Sequence, residues 1–126
     1  MKDSTHPTGT FAMIIGCFFL ISGMWGLFSD MTFMFLSTNL LHATIHIILG
    51  LVGISLGVKD QARGYCLFLG ALLLTVGILR FVPGINTVLV DFLNVNIAVA
   101  LVNIIVGLLA LGVVYLSDHP LFRATH

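Results

Sequence analysis

Glutamate is absent from this chain of 126 residues, and its acidic charge rests on five aspartates. Lysine and arginine also number five, so the formal net charge is zero and charged residues make up only 8% of the sequence. Five scattered cations cannot neutralise a phosphate backbone, which excludes nucleic acid as a partner. Soluble domains carry about 25% charged and about 45–50% apolar residues, whereas apolar residues here reach 59%. That excludes a water-soluble globule and a disordered tail. What remains is an integral membrane protein with the lipid bilayer as its first partner. The two cysteines are too few for a disulfide framework or a metal-ligand spacing.

Four long apolar stretches are present: Phe11–Phe28, Leu40–Val58, Tyr65–Val82 and Ile97–Leu116. A spanning helix needs about 20 apolar residues, range about 17–25, and backbone groups in lipid must be paired within their own segment. The expected fold is therefore all-α: a single membrane domain over residues 1–126, a bundle of four transmembrane helices. No small-x-small cleavage site follows Gly26, so the first stretch reads as a retained span and not as a secretory signal. Four spans put both termini and the loop Lys59–Gly64 on one side, with Lys2, Lys59, Arg63 and Arg123 against Arg80 alone on the other. The positive-inside rule then predicts that both termini face the cytoplasm. Cys17 and Cys66 fall toward the cytoplasmic half and read as reduced thiols.

An internal repeat is legible. Between Ser37–Gly57 and Asn94–Val114, Asn39/Asn96, Ala43/Ala100, Ile47/Ile104, Ile48/Ile105, Gly50/Gly107 and Leu51/Leu108 are identical. The first and third stretches match at Gly16/Gly70, Leu20/Leu74 and Gly23/Gly77. The sequence predicts two tandem helix-pair repeats, about 11–58 and 65–116, in parallel orientation. Pro83 ends the third helix. Beyond it, Ile85, Val88, Leu89, Phe92 and Leu93 recur at helical spacing, predicting a short amphipathic helix in the interface. Ser29–Thr38, with Met31, Met34 and Phe35, reads as a shorter equivalent between the first two spans.

The notable residues of the second span, Asn39, His42, His46, Gly50, Gly53 and Gly57, share one helix face. The fourth span repeats the steps as Asn96, Val99, Asn103, Gly107, Ala110 and Val114. The first has Ala12, Gly16, Phe19, Gly23 and Gly26; the third has Cys66, Gly70, Leu73, Gly77 and Arg80. Small residues let membrane helices approach closely, so Gly16, Gly23, Gly50, Gly53, Gly57, Gly70, Gly77 and Gly107 are packing positions. Polar groups in a membrane turn toward protein, so Asn39, His42, His46, Arg80, Asn96 and Asn103 form the expected interior cluster near the outer interface, with Asp30 or Asp91 as counter-ion. His42 and His46, at i and i+4, can present two imidazoles to one ligand. The other histidines, His6, His119 and His126, lie in the tails, so no metal site is expected.

The run Asn39-Leu-Leu-His42-Ala-Thr-Ile-His46-Ile-Ile-Leu-Gly50-Leu-Val-Gly53 resembles the hallmark of a bacterial membrane family catalogued as domain of unknown function 4383. Asn96, Asn103 and Gly107 resemble its fourth-span pattern, and Phe81–Gly84 the link after its third span. The similarity covers about residues 10–116. It implies four spans built as two repeats, and no activity comes with it. Val99 and Asn103 stand where a symmetric second histidine pair would be.

Three functions from different classes fit these residues. The first expectation is a non-enzymatic accessory or structural subunit, packing in a homo-oligomer or with other membrane subunits. The second is a haem- or chlorophyll-binding redox or pigment subunit using His46 and His42. The third is a small transporter or channel with an interior Arg80/His42 cluster. Nothing assembles a nucleophile, a base and an orienting group, so an enzyme is not expected.

Overall fold

The computed structural model describes residues 7–33 and 36–118. Most of the described residues are helical: α1 (Pro7–Gly26), α2 (Leu40–Val58), α3 (Arg63–Leu79), α4 (Ile85–Leu93) and α5 (Ile97–Asp118). A minimal antiparallel ladder, β1 (Met31–Thr32) and β2 (Leu36–Ser37), lies between α1 and α2. Among the described residues three helices are long and apolar enough to cross a membrane: Pro7–Gly26, Leu40–Val58 and Ile97–Ser117. The fold is thus all-α and membrane-like. Helix α3 is apolar and shorter, at 17 residues.

Helix α1 begins earlier than the apolar run suggests, because Pro7 suits the first helical turn, where its missing N–H is no loss. It also stops earlier, at Gly26, and Leu27 and Phe28 turn off it. Helix α3 likewise ends at Leu79, short of the expected Val82. Helix α4 closes on Asn94, whose left-handed backbone (φ 52°, ψ 47°) favours asparagine over bulkier side chains.

The segment between α1 and α2 corrects the sequence reading. No helix forms at residues 29–33 or 36–38; Met31 pairs with Ser37 and Thr32 with Leu36. Ser29 turns the chain by bonding the backbone of Met31 in both directions, a local alternative to a helical first turn. The Thr38 N–H closes the hairpin on the Asp30 carbonyl at 2.8 Å. Phe33, at a positive φ of 51°, stacks on Phe18 and tilts against Trp25. The hairpin therefore folds back along α1 instead of lying flat. Met34 and Phe35, part of the pattern read as helix, lie outside the described residues.

Packing is strongest within two pairs, α1 with α2 and α3 with α5. Helices α1 and α5 join the pairs through a core holding Ala12, Ile15, Phe19, Tyr65, Leu69 and Val106. A second cluster of Leu36, Val95, Val99 and Ala100 seats the hairpin and the α4–α5 link. Ala12, Gly16, Phe19, Gly23 and Gly26 are all buried on α1, as are Cys66, Gly70, Leu73 and Gly77 on α3. Helices α2 and α3 do not pack along one another, and this leaves a cleft between them.

Candidate functional site

Most of the polar side chains singled out in the sequence converge on one stretch of backbone, residues 92–96, where α4 passes into α5. Asn39 caps α2, its Oδ1 accepting from the His42 N–H at 2.8 Å, while its Nδ2 donates to the Phe92 carbonyl at 2.8 Å. Asn96 repeats the cap on α5, accepting from the Val99 N–H at 2.8 Å. The Ser37 hydroxyl donates to the Asn94 carbonyl and accepts from the Asn96 N–H. The Asn94 amide donates back to the Thr38 carbonyl at 2.7 Å. Arg80, at the end of α3, donates from Nε to the Val95 carbonyl at 2.6 Å. An asparagine before an apolar helix is a strong N-cap signal, and this role of Asn39 and Asn96 was legible in the sequence but not read there. Ser37 and Asn94 were not singled out either, although they occupy equivalent places in the 57-residue offset that relates Asn39 to Asn96.

His42 and His46 lie deeper. Their rings meet edge to face with centroids 4.3 Å apart, and His46 stacks on Phe19 at 5.0 Å. The Nδ1 atom of His46 shares a 3.4 Å hydrogen bond with the Ser22 hydroxyl. The His42 ring sits beside Leu93 on the cleft wall, and its Nδ1 is buried with no partner among the described residues. His42 and Asn103 are each only 6% exposed.

Together with His46, these two residues separate two cavities. The first, about 20 Å³, lies under the hairpin with Ser22, Thr32, Ser37 and Thr38 on its walls. The second, about 100 Å³, is the α2–α3 cleft, walled by Ile45, Leu49, Leu72, Leu73 and Val76 and closed at one end by Leu93. Tyr65 bridges α2 and α3, donating its hydroxyl to the Leu49 carbonyl at 2.7 Å. Gly53 makes room for this bridge, since a Cβ there would fall 2.6 Å from the Tyr65 oxygen.

Arg80 does not share these cavities. It lines a separate pocket of about 190 Å³ with Asn86, Thr87, Val90 and Asp91. Within one chain a porphyrin does not fit the histidine pair: the two imidazoles meet edge to face, His46 is stacked on Phe19, and the cavities beside them hold only about 20 and about 100 Å³. Among the described residues no group of three or more His, Cys, Asp or Glu is placed to hold a metal ion. Cys17 and Cys66 are free thiols, Cys66 buried and 3.6 Å from the Thr8 carbonyl. Lys2, His6, His119, Arg123 and His126 lie outside the described residues.

A family model described as domain of unknown function (DUF4383) matches residues 9–116. No match was found among curated proteins or among solved structures.

Proposed function

The chain belongs to the DUF4383 family, and from its geometry we propose a non-enzymatic membrane scaffold that works by lateral association, with itself or with other membrane subunits. In this reading all four long helices, α3 included, cross a bacterial inner membrane. Helix α3 is about 25 Å long at 1.5 Å per residue, and α4 lies in the outer interface. Four crossings place both termini in the cytoplasm. Supporting a two-repeat architecture, Gly23 abuts the Ala43 carbonyl and Ile47 in one pair, and Gly77 abuts the Ala100 carbonyl and Ile104 in the other.

The observation that carries the reading is the use to which the polar groups are put. Asn39, Ser37, Arg80, Asn94 and Asn96 are engaged with backbone atoms of the 92–96 link and with helix ends. They build a fixed architecture and present no reactive constellation. Meanwhile α2 buries only 28% of its span, and Leu41, Ile48, Leu51 and Val52 stand more than two-fifths exposed along its outer side. Among the described residues no helix covers this face, which leaves it for lipid or for the side chains of a neighbouring helix to pack on.

Gentle extraction into nanodiscs followed by native mass measurement tests the proposal. Co-isolated subunits or a defined homo-oligomer are expected, with a cross-link forming between Leu51→Cys copies or from Leu51→Cys to a neighbour. A lone monomer at every concentration, without that cross-link, would end it.

A further inference from the structure

The α2–α3 cleft has the chemistry of a site. Its walls are aliphatic, from Ile45, Leu49, Leu72, Leu73 and Val76, and its inner wall is polar, from His42, His46 and Asn103. Such a mixture, apolar lining with a few convergent polar groups, is the usual composition of a small-molecule site. The cleft exists because α2 and α3 do not pack on one another, so it opens sideways between two helices whose other faces are apolar and exposed. Its volume of about 100 Å³ is smaller than the about 150 Å³ of an apolar cavity that takes up benzene, so a single ring fills it and keeps one edge in the opening.

His42 defines what the occupant must carry. The imidazole tautomer decides whether a ring nitrogen donates or accepts, and a hydroxyl can do either in return. The buried Nδ1 has no hydrogen-bond partner among the described residues. Leaving such a group unmet costs about 1–3 kcal/mol. We propose that the α2–α3 cleft binds a ring-sized apolar molecule bearing a hydroxyl group, drawn laterally from the bilayer, with the hydroxyl hydrogen-bonded to Nδ1 of His42. The site rests on the membrane reading above and is independent of lateral association. Two kinds of bilayer molecule share this chemistry: aromatic alcohols of the quinol type and aliphatic ring alcohols.

The test uses the whole ¹⁵N-labelled protein in phosphatidylcholine nanodiscs, following the His42 Nδ1 resonance. Phenol and cyclohexanol are titrated beside toluene and methylcyclohexane at equal concentration in the bilayer. The alcohols should shift the resonance saturably and bind about tenfold or more tighter than their hydrocarbon analogues, the increment of one buried hydrogen bond. Either order of the two alcohols supports the site. Phenol ahead assigns it to the aromatic class, cyclohexanol ahead to the aliphatic one. Leu72→Trp, which fills the cleft from α3 and leaves His42 in place, should abolish the shift. Indifference of His42 Nδ1 to all four probes overturns the proposal, because water under the hairpin then holds that nitrogen. Equal binding of alcohol and hydrocarbon overturns it too, as does an unchanged response in folded Leu72→Trp. The wild-type titration decides alone if that variant does not fold. A protein that proves monomeric can still pass this test, so the two readings fail separately.

Discussion

Gly16 and Gly50 face each other across α1 and α2 so closely that a Cβ on Gly16 would lie 2.8 Å from the Gly50 carbonyl oxygen, and one on Gly50 would lie 2.6 Å from that of Gly16. Gly70 and Gly107 repeat the relationship between α3 and α5 at 3.1 and 3.0 Å. In the first pair the obstructing atoms include backbone that cannot swing aside. Gly50→Ala should therefore cost about 1–3 kcal/mol, the usual range for overpacking. Gly70→Ala should cost less, because its nearest obstacle is the Leu111 side chain. Gly112→Ala, which meets nothing within 4 Å, should be neutral or slightly stabilising. Unfolding in bicelles, measured on the three variants side by side, checks the order Gly50, Gly70, Gly112.

Asn39 combines two bonds that substitution can separate. Its Oδ1 caps α2 and its Nδ2 reaches the Phe92 carbonyl. Asn39→Asp keeps the cap acceptor and loses the donor, whereas Asn39→Ala loses both. The alanine variant should be destabilised by about 0.5–2 kcal/mol from the cap alone, plus the lost link to Phe92. The aspartate variant should leave α2 amide exchange near wild type while exchange rises over residues 92–96. Exchange over residues 92–96 that stays at the wild-type level in the aspartate variant would show that Asn39 acts through the cap only.

How far the sequence discloses this molecule depends on which interactions leave a pattern. The helix faces were legible because burial follows the 3.6-residue period: the stripe from Ala12 to Gly26 is buried throughout. Helix α4 was legible from Ile85, Val88 and Leu89 for the same reason. The hairpin was not, because Met31 and Leu36 are compatible with either period and the deciding forces are Ser29's local bonds and the docking of Phe33 on Phe18 and Trp25. At the site, His42 and His46 could be placed on one face, and their contact with Phe19 and Ser22 could not, since it depends on which helix stands opposite. Arg80 was read as a partner for His42. It bonds the Val95 carbonyl instead, because a guanidinium at a helix end reaches the adjacent link first.

Tyr65 ties α3 to α2 across the cleft, with its hydroxyl on the Leu49 carbonyl and its ring against Gly53. Tyr65→Phe removes the bond and keeps the packing. The expected loss of stability is about 0.5–1.5 kcal/mol. Gly53→Ala drives a methyl into the same hydroxyl, so it should displace the ring and cost more. In the double variant Tyr65→Phe, Gly53→Ala, the penalty of Gly53→Ala should fall only in part, because the oxygen at 2.6 Å is gone while the ring carbon Cζ still lies 2.7 Å from the added Cβ. A double-mutant cycle measured in bicelles reads this coupling directly; strictly additive penalties would show that the two residues do not meet.

Arg80 stands at the end of α3, half-buried, and holds the link between α4 and α5 by the Val95 carbonyl. The same link is gripped from the other side by Ser37 and Asn39. The two helix pairs are thus joined at this end largely through one stretch of backbone. Removing the arginine should loosen that stretch before it loosens either pair. Arg80→Met keeps most of the aliphatic stem and deletes the donor. A hydrogen bond from a charged group contributes about 1.5–3 kcal/mol, with the lower end apt for a side chain partly open to solvent. Amide exchange in Arg80→Met should rise at Val95 and Asn96 while the α1–α2 contact at Gly16 and Gly50 stays protected. Arg80→Lys should fall between, since an ammonium retains the charge but not the fixed planar geometry. If Arg80 served only to reach water from the helix end, Arg80→Met would leave exchange at Val95 and Asn96 unchanged, and Lys would match wild type.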